Sequence, residues 1–401
     1  MTEIVPEIVD VVVIGGGPSG ATAAMDLARA GHSVVLLDRA GRIKPCGGAI
    51  PPRLMKDFAV PESVLVGHAK AARMISPSDR AVDMPIEGGF VGMVDRGEFD
   101  EWLRNRAASA GARRETGTYE AIERDADGTA VVVFRPKGAA KHDALVRLRT
   151  RAVIGADGAR SGVARAELKG ADRTPCVFAY HEVIATPPDA AFDRERCDIY
   201  YQGKLSPDFY AWIFPHGDQT SVGVGSANKG FSLKDAVAQL RLDTGLTDCA
   251  TIRVEGAPIP LKPLKKWDNG RDVVVAGDAA GVVAPASGEG IYYAMTAGRE
   301  AATAVGEFLV TGNPKALAGA RKRFMKAHGR VFWILGMMQY FWYSSDKRRE
   351  RFVKICDDPD VQRLTWQAYM NKELVRADPM AHLRIFLKDV GHLFGIGSTA
   401  A

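Results

Sequence analysis

Residues 9–20 have the sequence VDVVVIGGGPSG, and this stretch decides the fold. The apolar, β-branched run Val9–Ile14 predicts a buried parallel strand. Gly15, Gly17 and Gly20 follow it with the spacing G-x-G-x-x-G. The first glycine suits a tight turn, the second lets the backbone approach a pyrophosphate, and the third lets a helix pack closely on the strand. The stretch therefore predicts the start of a nucleotide-binding fold.

The next residues complete a βαβ unit. A helix is predicted over Ala21–Ala30 and a second buried strand over Ser33–Leu37. Asp38 closes that strand, near the position of an acid that binds ribose hydroxyls. Because an acid there would repel a 2′-phosphate, the pattern favours FAD or NAD over NADP at this site. Arg39 could lie over the adenine or make no such contact.

Composition narrows the class of protein. The 401 residues suit two or three domains, and the net charge of +5 is too mild to indicate a nucleic-acid partner. Five dispersed cysteines without a C-x-x-C pair disfavour a disulfide framework and a metal site. The acidic N-terminus and the absence of a run of ~20 apolar residues predict a cytoplasmic protein, soluble or peripherally attached to a membrane.

Two later segments indicate which nucleotide is bound. Residues 154–158 (IGADG) resemble the "DG" motif of the glutathione-reductase-like flavoprotein superfamily, and residues 271–281 (RDVVVAGDAAG) resemble its "GD" motif. The resemblance implies FAD, with Asp278 bonded to the ribityl chain and the following helix directed at the flavin ring. A helix N-cap is the alternative role for Asp278. The candidate cofactor residues in and after these motifs are Asp157, Asp278, Gly288 and Gly290, the last two through backbone N–H groups.

Four further segments resemble the geranylgeranyl reductase family. A predicted loop, Lys44–Ile50, contains Pro-Cys-Gly-Gly, and a predicted aromatic strand, Tyr210–Pro215, has the pattern Tyr-x-Trp-x-Phe-Pro. Within that family, the sequence is more similar to the (bacterio)chlorophyll-pathway branch than to the archaeal lipid branch. The four segments are Lys44–Ile50, Val94–Asp100, Tyr210–Pro215 and Gly281–Ile291.

The resemblance implies an FAD-dependent reductase that hydrogenates three of the four double bonds of a geranylgeranyl chain, giving phytyl. The chain would be carried on bacteriochlorophyll or chlorophyll, or be the free diphosphate. NADPH is the implied electron donor, docking over the flavin because no second G-x-G-x-x-G follows a strand; reduced ferredoxin is the other option. The alternatives are a flavin-dependent aromatic monooxygenase, an archaeal-type isoprenoid-lipid reductase, and a non-catalytic pigment-binding flavoprotein.

Isolated double bonds set the demands on the catalytic residues. Hydride addition alone would build an unstabilised carbanion, so we expect protonation first, giving tertiary carbocation character, with hydride delivery from N5 of the reduced flavin. Such a site needs aromatic faces that tolerate a cation. Cys46 could be the proton donor, directly or through water, or only a small residue in a tight turn. Tyr210 and Trp212, the other catalytic candidates, could line an apolar tunnel or belong to the sheet core. The other possible tunnel residues are Tyr200, Tyr201 and Phe214.

The resemblance also places the loop of Cys46, Gly47 and Gly48 near the flavin, which makes all three cofactor-binding candidates. Arg96 could hold the FAD pyrophosphate or the adenine-side ribose. Its alternative role is to cap the acids of the helix that follows it.

The predicted fold class is α/β (α+β overall). It comprises a Rossmann-type FAD-binding domain of the glutathione-reductase-like/aromatic-hydroxylase type, an inserted antiparallel-sheet substrate domain and a helical C-terminal region. Leu145–Leu148 and Ala152–Ile154 are predicted as separate strands. The predicted domains are 1–75, 95–170 and 258–310 for FAD, 76–94 and 171–257 for substrate, and 311–401 for the helical region.

The segment Val331–Tyr343 is apolar on nearly every face of its predicted helix, and Lys347, Arg348, Arg349 and Arg351 follow it. Aromatic residues beside basic ones suit a helix at the surface of an anionic membrane. A helix packed on the substrate domain, or the wall of a prenyl tunnel, is the alternative. With a greasy substrate, the pattern favours peripheral attachment to the photosynthetic (inner or intracytoplasmic) membrane, beside other pigment-synthesis enzymes.

Overall fold

The computed structural model describes residues 8–39 and 46–372. Its strands are β1 Val9–Ile14, β2 Val34–Asp38, β3 Ala49–Ile50, β4 Gly67–Ala69, β5 Ala71–Ile75, β6 Ala81–Pro85, β7 Val91–Met93, β8 Arg113–Arg124, β9 Ala130–Pro136, β10 Val146–Gly155, β11 Cys176–Ala185, β12 Arg196–Tyr200, β13 Ala211–His216, β14 Gln219–Ser226, β15 Thr251–Pro260 and β16 Val273–Val275. Its α-helices are α1 Pro18–Arg29, α2 Pro52–Asp57, α3 Arg96–Ser109, α4 Gly162–Glu167, α5 Leu233–Asp243, α6 Ile291–Thr311, α7 Gly319–Trp342, α8 Asp346–Ile355 and α9 Pro359–Asn371.

The chain divides into two units, each discontinuous in sequence. The first unit comprises 1–44, 96–176 and 258–336, and the second comprises 45–95, 177–257 and 337–401. This division differs from the predicted one in residues 45–75, because β3, β4 and β5 pair within sheets of the second unit. It differs again at the C-terminus, where the helices are shared between the two units rather than forming a third region.

A parallel sheet organises the first unit. Strand β1 lies between β2 and β10, and β16 and β8 extend the parallel set on either side. Strand β9 pairs antiparallel with both β8 and β10. The two strands predicted at Leu145–Leu148 and Ala152–Ile154 form one strand, because β10 pairs with β9 at its start and with β1 at its end.

Two helices pack closely on this sheet and on each other. Helix α1 is buried along most of its length, as expected from its run of small residues. A Cβ on Gly298 of α6 would lie 2.1 Å from the Ser19 carbonyl oxygen of α1, so only glycine allows this approach. The contact fixes the start of α1, which carries the glycine motif.

A seven-stranded sheet forms the second unit, in the order β15-β11-β14-β13-β12-β5-β6. The sheet is mixed rather than purely antiparallel as predicted, since β12 pairs parallel with β5. Helix α5 covers one face through Val237 and Leu240, which pack with Ile213, Val222 and Val224 of the sheet. A small sheet, β3-β7-β4, lies in the same unit and begins directly after the loop of Cys46.

Helix α7 contains the greater part of the predicted apolar segment Val331–Tyr343. Over the described residues, no helix is both long enough and apolar enough to cross a bilayer. The part of the predicted helical region 311–401 that follows Lys372 lies outside the described residues.

Candidate active site

The carboxyl ends of four parallel strands bring the three predicted motifs of the first unit together. The Gly15 N–H donates to the Leu37 carbonyl at 2.8 Å, which joins the ends of β1 and β2. The Ala156 N–H donates to the Ile14 carbonyl at 2.7 Å, and the Ala276 N–H to the Gly155 carbonyl at 2.9 Å. In α/β proteins with a parallel sheet, ligands bind at the carboxyl ends of the strands, at the point where the order of the strands in the sheet reverses.

Glycine suits each of the three motif positions for a different structural reason. Gly15 has a φ of +106°, and a Cβ there would lie 2.3 Å from the Ala156 carbonyl oxygen. A Cβ on Gly20 would lie 1.8 Å from the Gly15 carbonyl oxygen. At Gly17 a Cβ would meet no protein atom within 4 Å, and this residue caps α1 without any side-chain hydrogen bond. A helix N-terminus with open space beside its capping residue suits a pyrophosphate group.

Asp38 has a partner that the sequence did not reveal. Arg104 of α3 lies 3.3 Å from the Asp38 carboxylate and 3.2 Å from the Gly16 carbonyl oxygen. A Cβ on Gly16 would lie 2.8 Å from both the Arg104 and Asp38 side chains, so a larger residue here would displace one of them. Arg104 therefore orients the acid that is predicted to bind the ribose.

The other two candidate arginines lie in different surroundings. Arg96 is the first residue of α3, is buried, and donates through Nε and an Nη atom to Asp100 at 2.8 and 2.7 Å. This pairing matches its alternative role toward the acids of the helix, although Arg96 is buried rather than on the surface. Arg39 is exposed just after β2.

Asp157 is engaged by its own segment of chain. Its carboxylate accepts from the Ser161 hydroxyl and from the Gly162 N–H at 2.7 Å, at the start of α4. Burial raises the pKa of Asp157, and these bonds oppose that shift. The carboxylate therefore shapes the turn after β10, a role the sequence reasoning did not predict.

Asp278 and Gly290 are brought together at the start of α6. Asp278 is buried in a short 3₁₀ helix, and a Cβ on Gly290 would lie 3.9 Å from its carboxylate. Gly290 is the residue that caps α6. The N–H of Gly288 donates to the Ala284 carbonyl at 3.0 Å, so this N–H closes the loop. The acid and the helix N-terminus together suit the polar chain of a bound flavin.

An aromatic ladder runs along β13 in the second unit. Tyr210, Trp212 and Phe214 follow one another with centroid separations of 5.9 and 6.2 Å, and Tyr201 lies 6.1 Å from Tyr210. Tyr200 does not join them: it is paired with Ala211 and packs on the α5 face of the sheet. Four of the five predicted tunnel residues therefore form one cluster.

The loop of Cys46 lies beside this ladder, within the same unit. Lys44 and Pro45 are outside the described residues, whereas Cys46 is a free, partly buried thiol. The Gly48 N–H donates to the Cys46 sulfur at 3.4 Å. Burial raises the pKa of Tyr210, and the nearby Tyr343 and Cys46 add to this effect. The two predicted catalytic groups are thus close enough to influence each other.

A buried polar network holds Trp212, and no motif or periodic pattern in the sequence indicated it. The indole N–H donates to the Ser221 hydroxyl at 3.0 Å, which lies 2.8 Å from Nδ1 of His181. Nε2 of His181 lies 2.8 Å from Glu255. Burial raises the pKa of Glu255, but the bond to His181 and the charge of Arg253 outweigh it and lower the pKa overall.

Comparisons with known proteins agree with this arrangement. The protein-family model described as an FAD binding domain matches residues 8–323 of this sequence. The chain is 57% identical over 388 residues to a geranylgeranyl diphosphate reductase of Rhodobacter capsulatus, covering 96% of this chain and 98% of that protein. It is 35% identical over 401 residues to the chloroplastic geranylgeranyl diphosphate reductase of Oryza sativa subsp. japonica, covering 96% and 86%.

A solved structure shares the fold. The geranylgeranyl bacteriochlorophyll reductase-like protein of Thermoplasma acidophilum superposes with a TM-score of 0.78 at 23% identity, covering 94% of this chain and 99% of that one. The match confirms the predicted fold class of a Rossmann-type FAD-binding protein with an added sheet. On this evidence, the protein is an FAD-dependent oxidoreductase that belongs to the geranylgeranyl reductase family.

Proposed function

We propose that this protein hydrogenates three double bonds of a geranylgeranyl chain to give phytyl, with NADPH as the reductant. The substrate is geranylgeranylated bacteriochlorophyll or chlorophyll, or free geranylgeranyl diphosphate. The observation that carries the proposal is 57% identity over nearly the whole length of a geranylgeranyl diphosphate reductase. The aromatic ladder on β13 supports it, since an isoprenoid chain requires an apolar wall.

The chemistry of an isolated double bond assigns roles to the ladder and to the loop of Cys46. Reduced FAD supplies the hydride. A proton must reach the other carbon, and the positive character that develops there is stabilised by aromatic faces. Trp212 and Tyr210 present such faces, and the raised pKa of Tyr210 keeps its phenol neutral. Cys46, a free thiol on the loop that packs against Phe214 through Gly47, is our proposed source of the proton.

The decisive experiment combines a gene deletion with mass analysis of the pigments. Accumulation of pigment that carries the geranylgeranyl group supports the proposal, and unchanged phytylated pigment overturns it. The purified protein with geranylgeranyl diphosphate and NADPH should add two hydrogens, and oxidise one NADPH, for each bond reduced. Oxygen consumption coupled to turnover would instead favour an aromatic monooxygenase.

The electron donor is tested separately, in the absence of substrate. NADPH should bleach the absorption of the oxidised flavin in the purified protein under anaerobic conditions. If only reduced ferredoxin bleaches it, the NADPH part of the proposal is wrong while the reductase activity stands. A flavin that neither donor reduces would favour a non-catalytic, pigment-binding protein.

The role of Cys46 is tested by substitution. Cys46→Ala should keep FAD and lose most of its kcat, by about 10²-fold or more if the thiol is the general acid. Cys249→Ala is the matched control, since Cys249 is also free and partly buried but packs against the core under α5. Full turnover by Cys46→Ala would remove the thiol from the mechanism.

We further propose that the exposed stripe of α7 contacts the surface of the photosynthetic membrane. Trp333, Met337 and Tyr340 lie on one helical face and are 65%, 53% and 85% exposed. Arg330 and Lys326 are exposed one and two turns earlier on that face, respectively. Exposed aromatic residues next to cations suit an anionic interface.

The structure also refines which of the following basic residues could contribute. Arg349 is buried and donates to the carbonyl of Tyr343, which ties the end of α7 to the next helix. Lys347 is exposed and remains available to an anionic surface. The basic cluster that follows the aromatic segment is therefore partly structural.

Sedimentation with vesicles tests the stripe. The protein should bind vesicles of phosphatidylcholine and phosphatidylglycerol, and Trp333→Ser with Tyr340→Ser should weaken binding by about tenfold or more. Val310→Ser is the control, because Val310 is 81% exposed but belongs to α6 rather than to the stripe of α7. Equal binding by all three proteins would refute the contact.

A further inference from the structure

The last residue of β13, His216, connects two of the four sequence segments that resemble the family, Lys44–Ile50 and Tyr210–Pro215. Nδ1 of His216 lies 2.9 Å from the Phe214 carbonyl oxygen, and Nε2 lies 3.1 Å from the Gly47 carbonyl oxygen. Gly47 directly follows Cys46, so the imidazole spans the end of the aromatic strand and the thiol-bearing loop. All of these residues lie in the second unit.

The loop is fitted closely to the end of this strand. A Cβ on Gly47 would lie 3.0 Å from the Phe214 ring. Gly48 has a φ of +67°, and a Cβ there would lie 2.5 Å from Nε2 of His216 and from the Val94 carbonyl oxygen. The Val94 N–H also donates to the Gly48 carbonyl at 2.9 Å. The backbone after Cys46 therefore has little freedom while His216 is in place.

The protonation state of His216 determines what it can hold. Burial lowers its pKa to about 4, although the two carbonyl oxygens oppose that shift. The ring is therefore neutral near pH 7 and carries one N–H, which can serve only one of the two carbonyls. A proton on Nε2 fastens the loop, whereas a proton on Nδ1 serves only the strand.

We propose that His216 is a positioning residue that fixes Cys46 by donating from Nε2 to the Gly47 carbonyl. The inference rests on the proposed function only in assigning Cys46 to the reacting centre; the hydrogen bond itself is independent of it. It also gives the two glycines a structural reason in this chain, because Phe214 and His216 leave no room for a side chain at Gly47 and Gly48.

Two substitutions separate the two nitrogens. The amide nitrogen of His216→Gln reaches about as far as Nε2 and can still donate to Gly47, whereas that of His216→Asn reaches only about as far as Nδ1. We would measure the alkylation rate of Cys46 by iodoacetamide in the FAD-loaded full chain, by peptide mass. Cys176 and Cys249, which are also partly buried, serve as internal references.

His216→Asn should alkylate Cys46 about two- to tenfold faster, the change that one neutral hydrogen bond controls, with the reference cysteines unchanged. His216→Gln should restore a rate close to that of the wild type. His68→Asn is the matched control: His68 is a partly buried histidine of the same unit that packs on Phe90, and its substitution should leave the Cys46 rate unchanged. Equal effects of Gln and Asn, or no effect of either, would overturn the proposal.

Turnover gives a second readout that separates this inference from the proposed function. His216→Asn should lower kcat more than it raises KM, and His216→Gln should recover kcat. If the alkylation pattern holds but no variant or wild type reduces a geranylgeranyl chain, the positioning role stands and the proposed function fails. If turnover is normal in His216→Asn while alkylation changes, Cys46 is positioned by His216 but its position does not govern the reaction, which refutes the catalytic part of the inference.

Discussion

Substituting Gly17 with alanine should separate folding from FAD binding. A Cβ at this position meets no protein atom within 4 Å, and the backbone φ of −74° is one that alanine adopts readily. The only group expected in that space is the FAD pyrophosphate at the start of α1. The added methyl group should therefore disturb the cofactor and leave the fold intact.

The magnitudes follow from this geometry. Alanine is a poorer helix cap than glycine, but it also reduces the entropy of the unfolded chain, so the free energy of unfolding should change by less than about 1 kcal/mol. Moving the pyrophosphate away from the helix should cost at least one hydrogen bond to a charged group, about 1.5–3 kcal/mol. At 1.4 kcal/mol per tenfold change, FAD should bind about ten- to a hundredfold more weakly.

The assay is a fluorescence titration of apoprotein with FAD, together with thermal unfolding of the apoprotein. Gly20→Ala is the contrasting variant, because its Cβ would lie 1.8 Å from the Gly15 carbonyl oxygen. This overpacking should lower the free energy of unfolding of the apoprotein by at least about 1–3 kcal/mol. Wild-type FAD affinity in Gly17→Ala, or loss of its fold, would refute the placement of the pyrophosphate.

Three further predictions concern packing and the buried network. Gly298→Ala should lower the melting temperature of the apoprotein, because its Cβ would lie 2.1 Å from the Ser19 carbonyl oxygen. Gly306→Ala in the same helix, where the nearest atom to the new Cβ belongs to His32 at 3.8 Å, should raise the melting temperature by removing a helical glycine. The opposite order of melting temperatures would contradict the α1–α6 contact. Ser221→Ala should lower the free energy of unfolding in urea by about 1–3 kcal/mol, since it leaves the Trp212 N–H and Nδ1 of His181 without a partner. If the loss is no larger than that of Ser344→Ala, an exposed position, the network does not contribute as inferred. The lowered pKa of Glu255 means that its ionised form stabilises the fold above its ordinary pKa, and that this stabilisation is lost as the pH falls through the lowered value. The stability difference between wild type and Glu255→Gln should therefore shrink as the pH is lowered below about 5, and a constant difference in thermal unfolding would refute the assignment.

The motif glycines could be predicted from sequence because the reason for each is local. A positive φ at Gly15 and the short distance between Gly20 and the Gly15 carbonyl are properties of one tight strand-to-helix turn. A G-x-G-x-x-G spacing after an apolar run specifies that turn without any knowledge of the remaining chain. The acid at Asp38 could be found in the same way, since its distance along the chain is set by one helix and one strand.

The partners of these residues could not be found in this way. Arg104 contacts Asp38 across 66 residues, and His216 contacts Gly47 across 169 residues. Arginine and histidine are common residues, and neither follows a periodic pattern that would mark it. Only the folded arrangement of α3 over β2, and of β13 beside the loop, selects them.

Long-range pairing also explains why Tyr200, one of the predicted tunnel residues, does not join the aromatic cluster. The alternation of aromatic and aliphatic residues over 210–214 predicts a strand with one aromatic face, but it does not reveal which residues of the neighbouring strand share that face. The pairing of Tyr200 with Ala211 places Tyr200 on the face covered by α5, and its neighbour Tyr201 then reaches Tyr210. A shift of one residue in this register would exchange the two tyrosines. Register, which is set by long-range pairing, therefore decides which tyrosine could meet the substrate.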